Sequence, residues 1–145
     1  MFVAFGSDFD GFRTWESFEP VSAAPGNDHV SGPRRIYINK LPGAGASAFS
    51  VGTIIVKESG DGDLASRHVF AMVKRGAAFN AGGAVGWEWF ELANVDEQRV
   101  AVTWRGLGPE NGDVYGGDAT GGCNRCHDAA HTSDYVFAPP DLLER

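Results

Sequence analysis

The chain has 145 residues, 43% of them hydrophobic and 12% aromatic, with a formal charge of −7 and a pI of about 4.9. That length fits one domain, residues 1–145, with a real core, and the composition excludes an intrinsically disordered chain. The acidic balance argues against nucleic acid and anionic membrane surfaces as partners, and no apolar run is long enough to cross a bilayer.

Residues 1–20 are expected to form an arm and a short N-terminal helix, capped by Ser7 or Asp8, with Phe9, Phe12, Trp15 and Phe18 as an apolar stripe. Gly11 weakens that helix and Pro20 lies beyond its end. Residues 21–33, rich in Pro, Gly and Asn, read as a loop containing an exposed His29.

The period then changes to two. Residues 35–39 alternate as a strand, 41–50 form a small-residue loop carrying Phe49, and 51–58 form a second strand. In the latter, Thr53, Ile55 and Lys57 share one face, and Ile54, Val56 and Glu58 share the other. A third strand over 68–75 aligns Phe70, Met72 and Lys74. A fourth over 87–93 sets Trp87, Trp89 and Glu91 against Glu88, Phe90 and Leu92, and a fifth over 99–105 alternates through Val100, Val102 and Trp104. Strands in succession with short turns predict an α+β fold: a mainly antiparallel sheet, about a five-strand meander, with a short C-terminal helix.

Residues 106–122 contain seven glycines and read as a loop able to drape over a cofactor. Cys123-Asn124-Arg125-Cys126-His127 follows, and it reads C-x-x-C-H, the c-type haem attachment sequence. Its thiols suit thioether bonds to haem vinyl groups, and its histidine suits proximal ligation of the iron. Cys123 and Cys126 are the only cysteines. Zinc competes, since His131 lies one helical turn beyond His127, but four ligands crammed into nine residues converge poorly on a tetrahedron. A redox or structural thiol pair is a third reading, without the βαβ pattern that would support it. The residues favour one haem c per chain. Covalent haem is installed outside the bacterial cytoplasm. The start Met1-Phe2-Val3-Ala4-Phe5 has no basic leader region, so the expectation is a periplasmic protein whose leader is absent from this chain.

Several stretches, taken in order, resemble the P-460-type cytochromes and their relatives, the cytochromes c-prime-beta. They are Arg34-Arg35-Ile36-Tyr37-Ile38, Val51-Gly52-Thr53-Ile54-Ile55-Val56-Lys57-Glu58, Met72-Val73-Lys74, Gly86-Trp87-Glu88-Trp89-Phe90, the haem motif, and Ser133-Asp134-Tyr135-Val136-Phe137. The resemblance implies a small antiparallel β fold, a homodimer, and haem lying against the sheet. It also implies one of two activities, hydroxylamine oxidation on a lysine-cross-linked haem or binding of gases such as nitric oxide and carbon monoxide under an apolar cap. Lys57 falls at the cross-linking lysine, Arg34 at a pocket arginine, and Phe70 where the hydroxylamine oxidisers carry a carboxylate, with Phe49 as a second candidate for the cap. Met72, if it reached the iron, would make a six-coordinate electron carrier with a redox partner protein; packing in the core is its simpler role. His68 and His131 are further candidate ligands, His68 expected exposed and His131 on the proximal side. In the enzyme reading Glu88 or Asp63 would relay protons. The favoured expectation is a hydrophobic distal pocket formed by Phe70, Phe49, Met72 and Arg34, small-ligand binding at a His127-ligated iron, and no assigned catalytic residue.

Overall fold

The computed structural model describes residues 1–19, 33–106, 122–139 and 142–143. The predicted loops at 21–33, with His29, and at 106–122 fall almost wholly outside these residues. The described part is α+β. Six antiparallel strands follow one another across a single sheet in chain order: β1 (Glu16–Phe18), β2 (Arg34–Ile38), β3 (Ile54–Ser59), β4 (His68–Lys74), β5 (Trp87–Asn94) and β6 (Val100–Gly106). Helix α1 (Gly122–His127) runs directly into a 3-10 segment, Asp128–Ser133. Among the described residues, no helix is long and apolar enough to cross a membrane.

The sheet has six strands where five are predicted, and the N-terminal helix is replaced by two 3-10 turns, Gly6–Phe9 and Phe12–Thr14, followed by β1. Gly11 separates the turns at φ 71°, a left-handed conformation that no helix interior tolerates. The spacing by threes at Phe9, Phe12, Trp15 and Phe18 is therefore not one helical stripe. Phe9 and Phe12 are fully buried against one face of the sheet and Trp15 packs beside them, while Phe18 reaches the other face through its pairing with Ile36. Pairing with β2 and burial of two aromatic rings, at about 1.5–3 kcal/mol each, outweigh a weak local helix preference.

Alternation along the strands divides the sheet into two apolar faces. The first carries Tyr37, Ile54, Val56, Val69, Ala71, Val73, Phe90 and Leu92 under the N-terminal arm. The second carries Ile36, Ile38, Ile55, Met72, Trp87, Trp89 and Trp104 under the C-terminal segment and Phe49. Strand β6 changes sides. Glu91 pairs with Trp104 and Leu92 with Val102, so Thr103 is an extra residue in a β-bulge. Val100 and Val102 consequently join the first face and Trp104 the second, where strict alternation places all three together.

Candidate functional site

Helix α1 sets Cys123, Cys126 and His127 at positions i, i+3 and i+4, one face of one helical turn. Neither cysteine is in a disulfide among the described residues, and Cys123 packs on the second sheet face. The His127 ring is held between Trp89, 4.7 Å away between centroids, and Phe137 at 5.3 Å. Its Nδ1 lies 2.6 Å from the Tyr135 carbonyl oxygen.

The sheet beneath carries Lys57 in a cross-strand row that reads Ile36, Lys57, Phe70, Glu91, Trp104. The next row reads Ile38, Ile55, Met72, Trp89. Lys57 Nζ sits 5.8 Å from the Phe70 ring centroid. Among the described residues it has no hydrogen-bond or salt-bridge partner. Burial first, and Arg34 second, pull the Lys57 ammonium below the ordinary lysine value, while Cys123 and Cys126 pull the other way. The structure therefore brings Lys57, Arg34, Phe70 and the two thiols into one neighbourhood.

The remaining candidates lie elsewhere on the molecule or in other roles. Met72 is 5% exposed and packs among the second-face side chains beside Trp89. Phe49 lies at the other end of that face, its ring 5.8 Å from Trp87 and its N–H donating to Asp134. Trp87 pairs with Lys74, four residues along β4 from Phe70 and so about 13 Å away. His68 and His131 are exposed, and His131 Nδ1 bonds back to the Asp128 carbonyl. Glu88 is on the first face, buried against Arg75 and Arg105, so it does not share the face of Lys57. Asp63 accepts from the Ser66 N–H and caps a local 3-10 turn. Among the described residues no three His, Cys, Asp or Glu side chains converge as a metal site.

His127 is pushed down to about 4, chiefly by burial, with the Lys57 charge adding to the effect and the Tyr135 hydrogen bond opposing it. The folded chain thus holds the imidazole neutral, the form that ligates metals. Above the ordinary histidine value of 6.5 both folded and unfolded chains are neutral there and nothing is gained. As pH falls from 6.5 toward 4 the unfolded chain takes up a proton that the folded one refuses, so the haem-free chain loses stability, by up to about 3 kcal/mol. Urea midpoints measured across that window for the haem-free chain and for His127→Gln are expected to diverge, with the variant showing the shallower decline.

Two features of the site carry no signal in the spacing of the motif. Asn124, between the two cysteines, is 7% exposed, and its Oδ1 accepts from Trp89 Nε1 at 2.8 Å, from Asn80 Nδ2 at 2.8 Å and from the Ala84 N–H at 3.3 Å. Asn124 Nδ2 donates back to Asn80 Oδ1 at 3.2 Å. This closed amide network docks α1 on the sheet and fixes the indole that packs at a tilt against His127. Gly83 makes room for it, since a Cβ there would stand 2.3 Å from Asn124 Cγ. Trp104 Nε1 is the second feature: a buried indole N–H on the second face with no acceptor among the described residues. An unmet buried donor costs about 1–3 kcal/mol, so this one is suited to an acceptor supplied from outside the described residues.

No protein-family model, no curated protein and no solved structure matches this chain.

Proposed function

We propose that the chain is a mono-haem c-type cytochrome of the P-460 and c-prime-beta kind that binds small diatomic ligands, nitric oxide or carbon monoxide, in a hydrophobic pocket. The observation that carries this is the helical turn bearing Cys123, Cys126 and His127, docked on an apolar sheet face. The donor set fits a c-type haem. It offers two thiols for thioether bonds, a neutral imidazole for the iron, and a buried Trp104 N–H in want of an acidic or carbonyl acceptor such as a propionate. Haem iron supplies a coordination position that no side chain offers. The chain's own part is to exclude water and hold that position apolar, which Phe70 does by presenting a ring without donor or acceptor. Arg34 and Lys57 supply positive charge for anionic haem substituents. One haem per chain, assembly in the periplasm and a homodimer belong to the same proposal.

A second reading is the lysine-cross-linked hydroxylamine oxidiser, and two observations favour it. Lys57 is a desolvated amine beside both thiols, with its proton affinity lowered toward the nucleophilic form. Glu91 puts a carboxylate one strand over from Phe70 on the same face, where Phe70 itself offers no proton acceptor.

The masses of peptides cut after glutamate from the denatured holoprotein, with its ferrous absorption spectrum, separate these, because trypsin would divide the motif at Arg125. Gas binding predicts haem on the Cys123–His127 peptide alone and a high-spin ferrous spectrum. Haem joining that peptide to the Lys57 strand, with a strongly red-shifted ferrous Soret band, would establish the second reading. A chain that leaves its export compartment without haem would sink both.

A further inference from the structure

The Tyr135 carbonyl can only accept, so His127 Nδ1 carries the proton and Nε2 keeps the lone pair. The turn that presents this carbonyl is built from two consecutive left-handed residues, Asp134 at φ 54° and Tyr135 at φ 65°, neither of them glycine. Such conformations persist only where the surroundings over-determine them.

Here the surroundings converge on Asp134. Lys74 Nζ donates to its Oδ1 at 2.6 Å in an ion pair whose side chains are 12% and 10% exposed. The Phe49 N–H donates to Oδ2 at 2.9 Å, and Trp87 Nε1 donates to the Asp134 carbonyl at 2.8 Å. Strand β4, strand β5 and the loop before β3 thus each hold the same residue. Tyr135 N–H, donating to the Ala130 carbonyl at 2.8 Å, ties the turn back to the 3-10 segment after α1.

Contact with Trp89 on one side and Phe137 on the other restrains the plane of the His127 ring but does not distinguish its two nitrogens. The Tyr135 carbonyl does, and its position depends on Asp134. We propose that Asp134 is a positioning residue: through the left-handed turn it selects Nε2 as the nitrogen that His127 offers to iron. This rests on reading His127 as the iron ligand. The hydrogen bond itself belongs to the chain and is present without haem. Second-sphere partners of this kind fix the tautomer of a ligating histidine and raise its basicity.

The test is the ring-nitrogen chemical shifts of His127 in the full-length, haem-free chain labelled with 15N-histidine. The parent chain is expected to show the Nδ1–H tautomer. Asp134→Ala is expected to shift the tautomer ratio about five-fold toward Nε2–H, the equivalent of one ordinary hydrogen bond. Because Asp134→Ala strands the Lys74 charge, Lys74→Met with Asp134→Ala is measured beside it. That pair removes both charges and keeps the cost of positive φ at position 134, so the turn loses what held it. A folded variant of either kind, with the parent far-UV dichroism and an unchanged tautomer ratio, would overturn the proposal. Failure of the haem reading would show separately, as a holoprotein preparation with no covalent haem and the tautomer contrast intact.

Discussion

On the proposed haem reading, replacing Cys123 and Cys126 together by serine is expected to abolish covalent haem on the denatured chain and to leave the sheet folded. Both thiols sit on the one helical face that His127 shares, and Cys123 alone among them packs into the second-face cluster. Serine is close in size, so the loss to packing is small, within about 2 kcal/mol. The first face, with Phe9, Phe12, Val56 and Val73 fully buried, is untouched by the change. Haem staining on a denaturing gel reads the attachment, and far-UV dichroism reads the fold. Haem that stays covalently bound in the double variant would mean that another side chain holds it, and Lys57 is the candidate on the same face. Complete loss with an intact sheet assigns attachment to the two thiols.

Glu88→Ala is expected to cost about 3–5 kcal/mol of folding stability, the range for breaking a buried ion pair by removing one partner. The Glu88 side chain is 4% exposed and its carboxylate is shared. Arg105 donates to it through Nε at 2.8 Å and Nη2 at 2.9 Å, and Arg75 through Nη1 at 3.2 Å. Truncation leaves two guanidinium groups facing each other at the edge of the first core face, where Arg105 also stacks over Phe90. Glu88→Gln keeps the acceptor oxygen and the shape, so its loss is expected to be smaller. Urea unfolding of both variants checks the order. Equal stabilities for the parent and Glu88→Ala would show that the cluster is not shielded from water as described. Since Glu88 lies across the sheet from Lys57, Glu88→Gln is also expected to leave the ferrous spectrum unchanged.

The alternation in the sequence assigns the sheet faces of β3, β4 and β5 correctly. Ile55 with Lys57, Phe70 with Met72, and Trp87 with Trp89 and Glu91 all share the face on which α1 docks, because a strand has no freedom in its side-chain period. The motif likewise carries its own geometry, since a single helical turn puts positions i, i+3 and i+4 on one side. The errors fall where a contact distant in sequence outweighs a local preference. The N-terminal aromatics look helical by spacing, yet Gly11 and pairing to β2 draw them onto opposite faces. Trp104 looks like a partner of Val102, yet one extra residue at Thr103 turns it to the other side.

The sequence by itself determined an antiparallel meander, the face that holds Lys57 and Phe70, and a C-terminal turn with two thiols and an imidazole aligned. These follow from periods of 2 and 3.6 residues, which are local properties of the backbone. Only the tertiary structure decided that Asn124 would lock the turn to Trp89 through Asn80, and that Asp134 would be gripped by Lys74, Phe49 and Trp87. Such polar locks join residues 35 to 85 positions apart. No periodicity encodes them, because they exist only when buried donors and acceptors must find one another away from water.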